Sequence, residues 1–105
     1  MLDKKTVVNY AHRYADEVRK EYNPHAIVLF GSYVNGDPHE DSDIDIAVIY
    51  NGFNGDWLAT SSKLWRICEN VNLYIEPVLL DITKDKSGFT DYILRTGNII
   101  YREQN

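Results

Sequence analysis

The 105-residue sequence predicts a single α/β (α+β) domain: a small mixed β-sheet flanked by helices. Three observations carry that expectation. Short apolar runs bounded by turn residues alternate with stretches of helical periodicity, in the order α-β-turn-β-α-β-α with a short final strand. The composition is that of a globular chain, 44% apolar and 26% charged. No linker, internal repeat or low-complexity segment divides residues 1–105.

Each element has its own signal. Residues 3–22 carry Val7, Val8, Ala11, Tyr14, Ala15, Val18 and Tyr22 at i, i+3, i+4 spacing between charged residues. That is an amphipathic helix, stopped by Asn23-Pro24. Residues 26–30, AIVLF, are a short apolar run ahead of a glycine and read as a buried strand. GSYVNG, residues 31–36, is a turn with room for one helical turn, and residues 36–40 are loop. Residues 42–50 form a second strand bounded by Asn51-Gly52. Asp56 reads as the N-cap of a helix from Trp57 to about Asn70, whose apolar stripe is Trp57, Leu58, Leu64, Trp65, Ile67 and Cys68. Residues 72–80 form a third strand. Pro77 lies inside it and cannot donate to a ladder, so the strand belongs at an edge or carries a bulge. Residues 89–95 are a short helix ended by Gly97, and residues 99–101 are a last short strand. Lys84-Asp85-Lys86 reads as a charged surface turn.

Charge and cysteine count narrow the function. A net charge of −5 argues against non-specific duplex binding, which needs a basic face to displace counterions. It leaves nucleotides open, because metal ions can supply positive charge. The single cysteine, Cys68, rules out a disulfide within the chain and sits at core spacing. The first twenty residues hold no apolar core of signal-peptide length, and no run approaches the roughly 18 apolar residues of a membrane span. A cytoplasmic address away from membranes is the expectation.

The second strand carries an anomaly. Side chains alternate along a strand, so Asp43 and Asp45 point one way while Ile44, Ile46 and Val48 point into the core. Two adjacent carboxylates repel each other, and acidic residues are poor strand formers. An isolated Asp-x-Asp also suits a turn cap followed by a solvent-facing residue. With a cation between them the pair becomes favourable, and hard divalent ions with oxygen ligands are the natural candidates. Upstream, a strand ending in Gly31-Ser32 leaves backbone N–H groups facing open space, which suits phosphate. Gly31 would let the backbone come close, and the Ser32 hydroxyl can donate to a phosphate oxygen.

Gly31-Ser32 followed by Asp43-Ile44-Asp45 resembles the signature of the nucleotidyltransferase superfamily that includes DNA polymerase beta. The short length and the helix before the first strand are similar to its minimal nucleotidyltransferase (MNT) branch. The resemblance covers roughly residues 5–101 and is most specific at residues 29–48. It implies the nucleotidyltransferase fold and a third carboxylate on a later strand. Glu76 shares a face with Asn72 and Tyr74 and is the expected third ligand; Asp81 is the rival, at a strand end where a cap or turn suits it better. The resemblance further implies two Mg²⁺ ions on Asp43, Asp45 and Glu76, ATP or another NTP as substrate, and transfer of NMP, AMP first among the candidates. As partner it implies a HEPN-type toxin neutralised as an antitoxin would, with homo- or hetero-oligomers both open. Many MNT domains place arginines in a G-S-R-x-R-G turn. Here the turn is Gly31-Ser32-Tyr33-Val34-Asn35-Gly36, so a triphosphate would lean more on metal, with Lys63 and Arg66 of the following helix as candidate contacts. The alternative is an antitoxin that acts by binding and occlusion with little or no turnover. Tyr33, Tyr50 and Tyr74 are expected to pack, although each could stack on a base. His39 is expected to be a solvated loop residue, and His12 and His25 show no metal spacing.

Overall fold

The computed structural model describes residues 2–36 and 42–104. The elements are α1 (Lys4–Arg19), β1 (Ala26–Phe30), α2 (Ser32–Asn35), β2 (Ile44–Tyr50), α3 (Trp57–Cys68), β3 (Ile75–Asp81), a 3₁₀ turn (Ile82–Lys84), α4 (Phe89–Thr96) and β4 (Asn98–Arg102). The strands form one mixed sheet in the order β3-β2-β1-β4. β1 runs antiparallel to β2 and β4, while β2 and β3 are parallel and joined through α3. Helices cover both faces of the sheet, as the sequence pattern predicts.

Alternation assigns the two faces. Ile27, Leu29, Ile44, Ile46, Val48, Ile75 and Leu79 pack with Val7, Ala11, Tyr14, Ala15 and Val18 of α1 and Leu64, Ile67 and Cys68 of α3. The opposite face holds Ala26, Val28, Ala47 and Ile49 and is covered more lightly, chiefly by Ile93 and Leu94 of α4. The site described below lies on this thinner side.

The caps follow the sequence. Asp3 accepts from the Thr6 N–H at 2.8 Å to open α1, and Asp56 accepts from the Ala59 N–H at 2.9 Å to open α3. Lys84-Asp85-Lys86 does more than turn the chain. Asp85 accepts from the Thr90 and Asp91 N–H groups and so caps α4. The expected stripe on α3 is half right. Leu64, Ile67 and Cys68 are buried together with Thr60, but Trp57, Leu58 and Trp65 are exposed. Positions 60, 64, 67 and 68 form one helical stripe against the sheet, and Leu58 and Trp65 lie off it. Trp57 packs instead edge-on against Phe53, which packs edge-on against Tyr50.

Pro77 is accommodated by register. β3 is an edge strand, and Ile44, paired with Ile75, donates its N–H to the Tyr74 carbonyl. Even-numbered residues of β3 therefore turn their backbone groups toward β2. Pro77 faces the open edge, where its missing donor costs no ladder bond.

At the far end of β3, Asp81 is buried and does structural work. Its carboxylate accepts from the N–H groups of Gly52, Phe53 and Thr83 and from the Thr83 hydroxyl, at 2.7–3.0 Å. Burial alone would raise its pKa, but the bonds from Phe53, Thr83 and Gly52 override it and hold the carboxyl well below the usual range. The cap reading of this residue holds. Because its pKa is depressed in the folded chain, its contribution is present above the ordinary aspartate range and lost as pH falls below about 4. Asp81→Ala leaves three backbone donors without a carboxylate, so it should cost about 2–3 kcal/mol in urea unfolding at pH 7. The difference between wild type and variant should shrink below pH 4.

Candidate functional site

One row of residues crosses the sheet on its thinner face. Phe30 on β1 pairs with Asp45 on β2, and Asp45 pairs with Glu76 on β3. Asp43 lies one residue before β2 and points the same way as Asp45. One carboxylate oxygen from each of Asp43, Asp45 and Glu76 falls within 4.8 Å of the other two. The structure thus brings together three acidic groups from two strands, with Asp43 and Glu76 exposed and Asp45 half-buried.

The electrostatics are those of crowded like charges. Burial and then the Asp43 charge push the Asp45 pKa up. Glu76 is pushed up by its hydrogen bond with Asp43, then by burial and by the charges of Asp43 and Asp45. A hydrogen bond between two carboxyls needs a proton, so the cluster at neutral pH favours whatever positive species can replace it. Oxygens around one Mg²⁺ lie about 3–4 Å apart, so a set already gathered this closely needs only small side-chain rotations to hold an ion. The donors are all hard oxygen ligands, which fit Mg²⁺, Mn²⁺ or Ca²⁺ rather than a soft metal. Among the described residues no other group of three or more such side chains converges in this way.

Gly31 closes the site from below. It adopts φ 85°, and a Cβ built there would lie 2.2 Å from the Asp45 Oδ2. The sequence suggested that this glycine makes room for a ligand; the nearest neighbour it makes room for is the Asp45 carboxylate. Both Val34 and Asn35 donate their N–H groups back to the Gly31 carbonyl, starting the single turn of α2. As at any helix start, the N–H groups of Ser32 and Tyr33 have no intrahelical acceptor.

Lys63 and Arg66 are not placed with the carboxylates. Both ride on α3, which packs against the opposite sheet face, and the Lys63 Nζ lies 3.4 Å from Glu21 at the end of α1. The helix stripe that buries Leu64 and Ile67 against that face fixes this placement. Tyr33 is buried and Tyr50 packs on Phe53, but Tyr74 is half-exposed beside Glu76 and departs from the packing expectation. His39 lies outside the described residues. The sequence reading missed an aromatic pair. Phe30, next to Asp45 in the row, meets Phe89 at the start of α4 edge-on, with ring centroids 6.0 Å apart. Only the tertiary crossing of α4 over the sheet brings Phe89 there, and nothing local signals it.

Residues 14–105 match a family model described as polymerase beta, nucleotidyltransferase. No curated protein sequence matches the chain. Among solved structures the chain resembles a protein from Sulfolobus solfataricus described as a candidate nucleotidyltransferase (TM-score 0.68, 19% identity, 95% of this chain and 84% of that one). It also resembles a toxin–antitoxin structure with AMP-PNP (0.60, 21%, 98% and 76%). A third similar structure is a mutant of the toxin–antitoxin MntA-HpeT (0.58, 20%, 98% and 76%).

Gly31→Ala forces a strained φ and displaces Asp45, so the variant should bind Mn²⁺ at least tenfold more weakly by calorimetry and lose roughly 1–3 kcal/mol of stability. Asp45→Asn removes like-charge repulsion. Its carboxyl has a raised pKa when folded, so the repulsion acts above that pKa and fades as pH falls through it. In EDTA at pH 8 the variant should therefore melt roughly 2–4 °C above wild type, a modest gain because solvent screens the site. Wild type should gain in Tm on adding Mg²⁺ at pH 8 and lose that gain toward pH 4.

Proposed function

This chain belongs to the polymerase beta nucleotidyltransferase family, and we propose that it transfers NMP, with AMP from ATP as the first candidate, to a protein partner. In that reading the partner is a HEPN-type toxin and the chain is its antitoxin. The single observation that carries the chemistry is the convergence of Asp43, Asp45 and Glu76 beside the Gly31-Ser32 turn. The toxin–antitoxin identity draws support from the two similar structures named as toxin–antitoxin proteins, one of them with a nucleotide analogue.

The residues have separable tasks. Asp43, Asp45 and Glu76 would hold two Mg²⁺ ions, which when bound supply charge neutralisation for the triphosphate and acidify the attacking hydroxyl. The Ser32 hydroxyl and the first N–H groups of α2 would hold the departing phosphates. Gly31 keeps Asp45 in line with Glu76. Glu76, the member of the cluster on β3, would take the proton of the acceptor hydroxyl. The new bond joins the acceptor oxygen to the α-phosphorus, the bond from that phosphorus to the bridging oxygen breaks, and pyrophosphate leaves with the electron pair. In this reading the acceptor hydroxyl belongs to the partner.

A second reading, neutralisation by occlusion without turnover, is favoured by one feature. In the turn where many MNT domains carry arginines this chain has Tyr33, buried in the core, and Lys63 on α3 pairs with Glu21, so cationic help for a triphosphate is sparse. One experiment separates the two. The protein is incubated with labelled ATP, Mg²⁺ and the product of a neighbouring gene, and label on that product is measured. The transfer reading expects label with wild type and at least a hundredfold less with Asp43→Asn/Asp45→Asn, complex formation being intact. Full neutralisation by the double variant would instead establish occlusion.

A further inference from the structure

We infer that Tyr74, with Leu73 beside it, seats the acceptor segment of the protein partner, an inference that deepens the transfer reading above and rests on it. Ile44 pairs with Ile75 and donates its N–H to the Tyr74 carbonyl at 2.8 Å. Tyr74 thus continues the β3 ladder by one residue and lies beside Asp43. Ile75 is buried under the helices, so alternation turns Tyr74 to the other face, the one that carries Glu76. Neighbouring strands lie about 4.8 Å apart, and two residues along a strand span about 6.6 Å, so the phenol ring borders the acidic row directly. Across the row, Phe30 pairs with Asp45, and Gly31 lies against the Asp45 carboxylate. The Gly31-Ser32 turn therefore flanks the carboxylates from β1, and Tyr74 flanks them from β3.

Those two flanks separate the two ends of the reaction. In an in-line displacement the attacking and leaving oxygens stand on opposite sides of the α-phosphorus. With the departing phosphates at the Gly31-Ser32 turn, the acceptor hydroxyl enters from the β3 flank, past Tyr74. This flank offers an apolar foothold. Leu73 is 80% exposed and Tyr74 53%, two large side chains left in water next to three carboxylates. The turn that presents them is tied down. The Asn72 Oδ1 accepts from the Tyr74 N–H at 2.8 Å, and the Asn72 carbonyl accepts from the Ile75 N–H at 3.2 Å. A tyrosine on a fixed backbone loses little entropy on binding and is a frequent anchor of protein interfaces. The segment that fits carries an apolar side chain two residues from its hydroxyl-bearing residue. Extended, it spans the same distance of about 6.6 Å that separates Tyr74 from Glu76, so one side chain rests on the ring while the hydroxyl meets the carboxylate.

The test follows label from ATP, with Mg²⁺ and ATP saturating, to the product of the neighbouring gene at varied concentration. Binding of ATP with Mg²⁺ to the full chain is measured alongside by calorimetry. Tyr74→Ala should raise KM for the protein acceptor about tenfold, keep kcat within about twofold and leave ATP affinity unchanged, which also shows that the variant is folded. Leu73→Ala should raise the same KM about threefold. Tyr74→Phe keeps the ring and should match wild type. If wild type labels the product and Tyr74→Ala does so with an unmoved acceptor KM, this inference alone is overturned. Weaker ATP binding by Tyr74→Ala would give the ring to the nucleotide and overturn it too. Label on Tyr74 itself would make the residue an acceptor, with the same consequence. If wild type labels nothing, the transfer reading falls and takes this inference with it.

Discussion

Asp45 and Glu76 face each other across neighbouring parallel strands, where like charges destabilise a sheet. What holds them there is the reverse side of the same two strands. Ile44, Ile46, Val48, Ile75 and Leu79 are buried under α1 and α3, each contributing about 1.5–3 kcal/mol. The repulsion between two carboxylates about 4 Å apart amounts to roughly 1–4 kcal/mol, depending on how much water reaches them. Burial outweighs repulsion, and it also fixes register. A one-residue slip would send the aliphatic side chains to the thin face and the carboxylates under the helices. The acidic row is therefore a consequence of core packing, maintained against its own electrostatics.

The asymmetry of the two sheet faces turns that row into a usable site. Two long helices seal one face, while a single eight-residue helix crosses the other. Asp45 stays half-buried, enough to raise its proton affinity, yet Asp43 and Glu76 remain open to solvent. Gly31 matters because any side chain there would occupy the space of the Asp45 carboxylate. The glycine, the aspartate and the strand pairing form one mechanical unit.

Much of this was legible in the sequence, because local signals and tertiary outcome agree. β1 spans the five residues that the apolar run marks, and Asp56 caps α3 as its position suggests. The shared face of Asp43, Asp45 and Glu76 follows from strand alternation once β2 and β3 are neighbours. What was not legible depended on which side of the sheet a helix takes. Apolar spacing on α3 could not tell the stripe of Leu64 and Ile67 from the exposed Trp65, nor show that Lys63 would turn away from the carboxylates toward Glu21. The meeting of Phe30 and Phe89, 59 positions apart in sequence, has no local trace. The strand itself spans Ile44–Tyr50, so Asp43 sits at its threshold rather than inside it.

Pro77 has a consequence for assembly. An incoming strand that tried to extend the sheet at β3 would find a pyrrolidine ring where it needs a hydrogen-bond donor, midway along the rim. Lateral growth from that side is blunted, and with it one common route to insoluble fibrils. A ribbon added at that rim would lose a ladder bond one residue beyond Glu76, beside the acidic row.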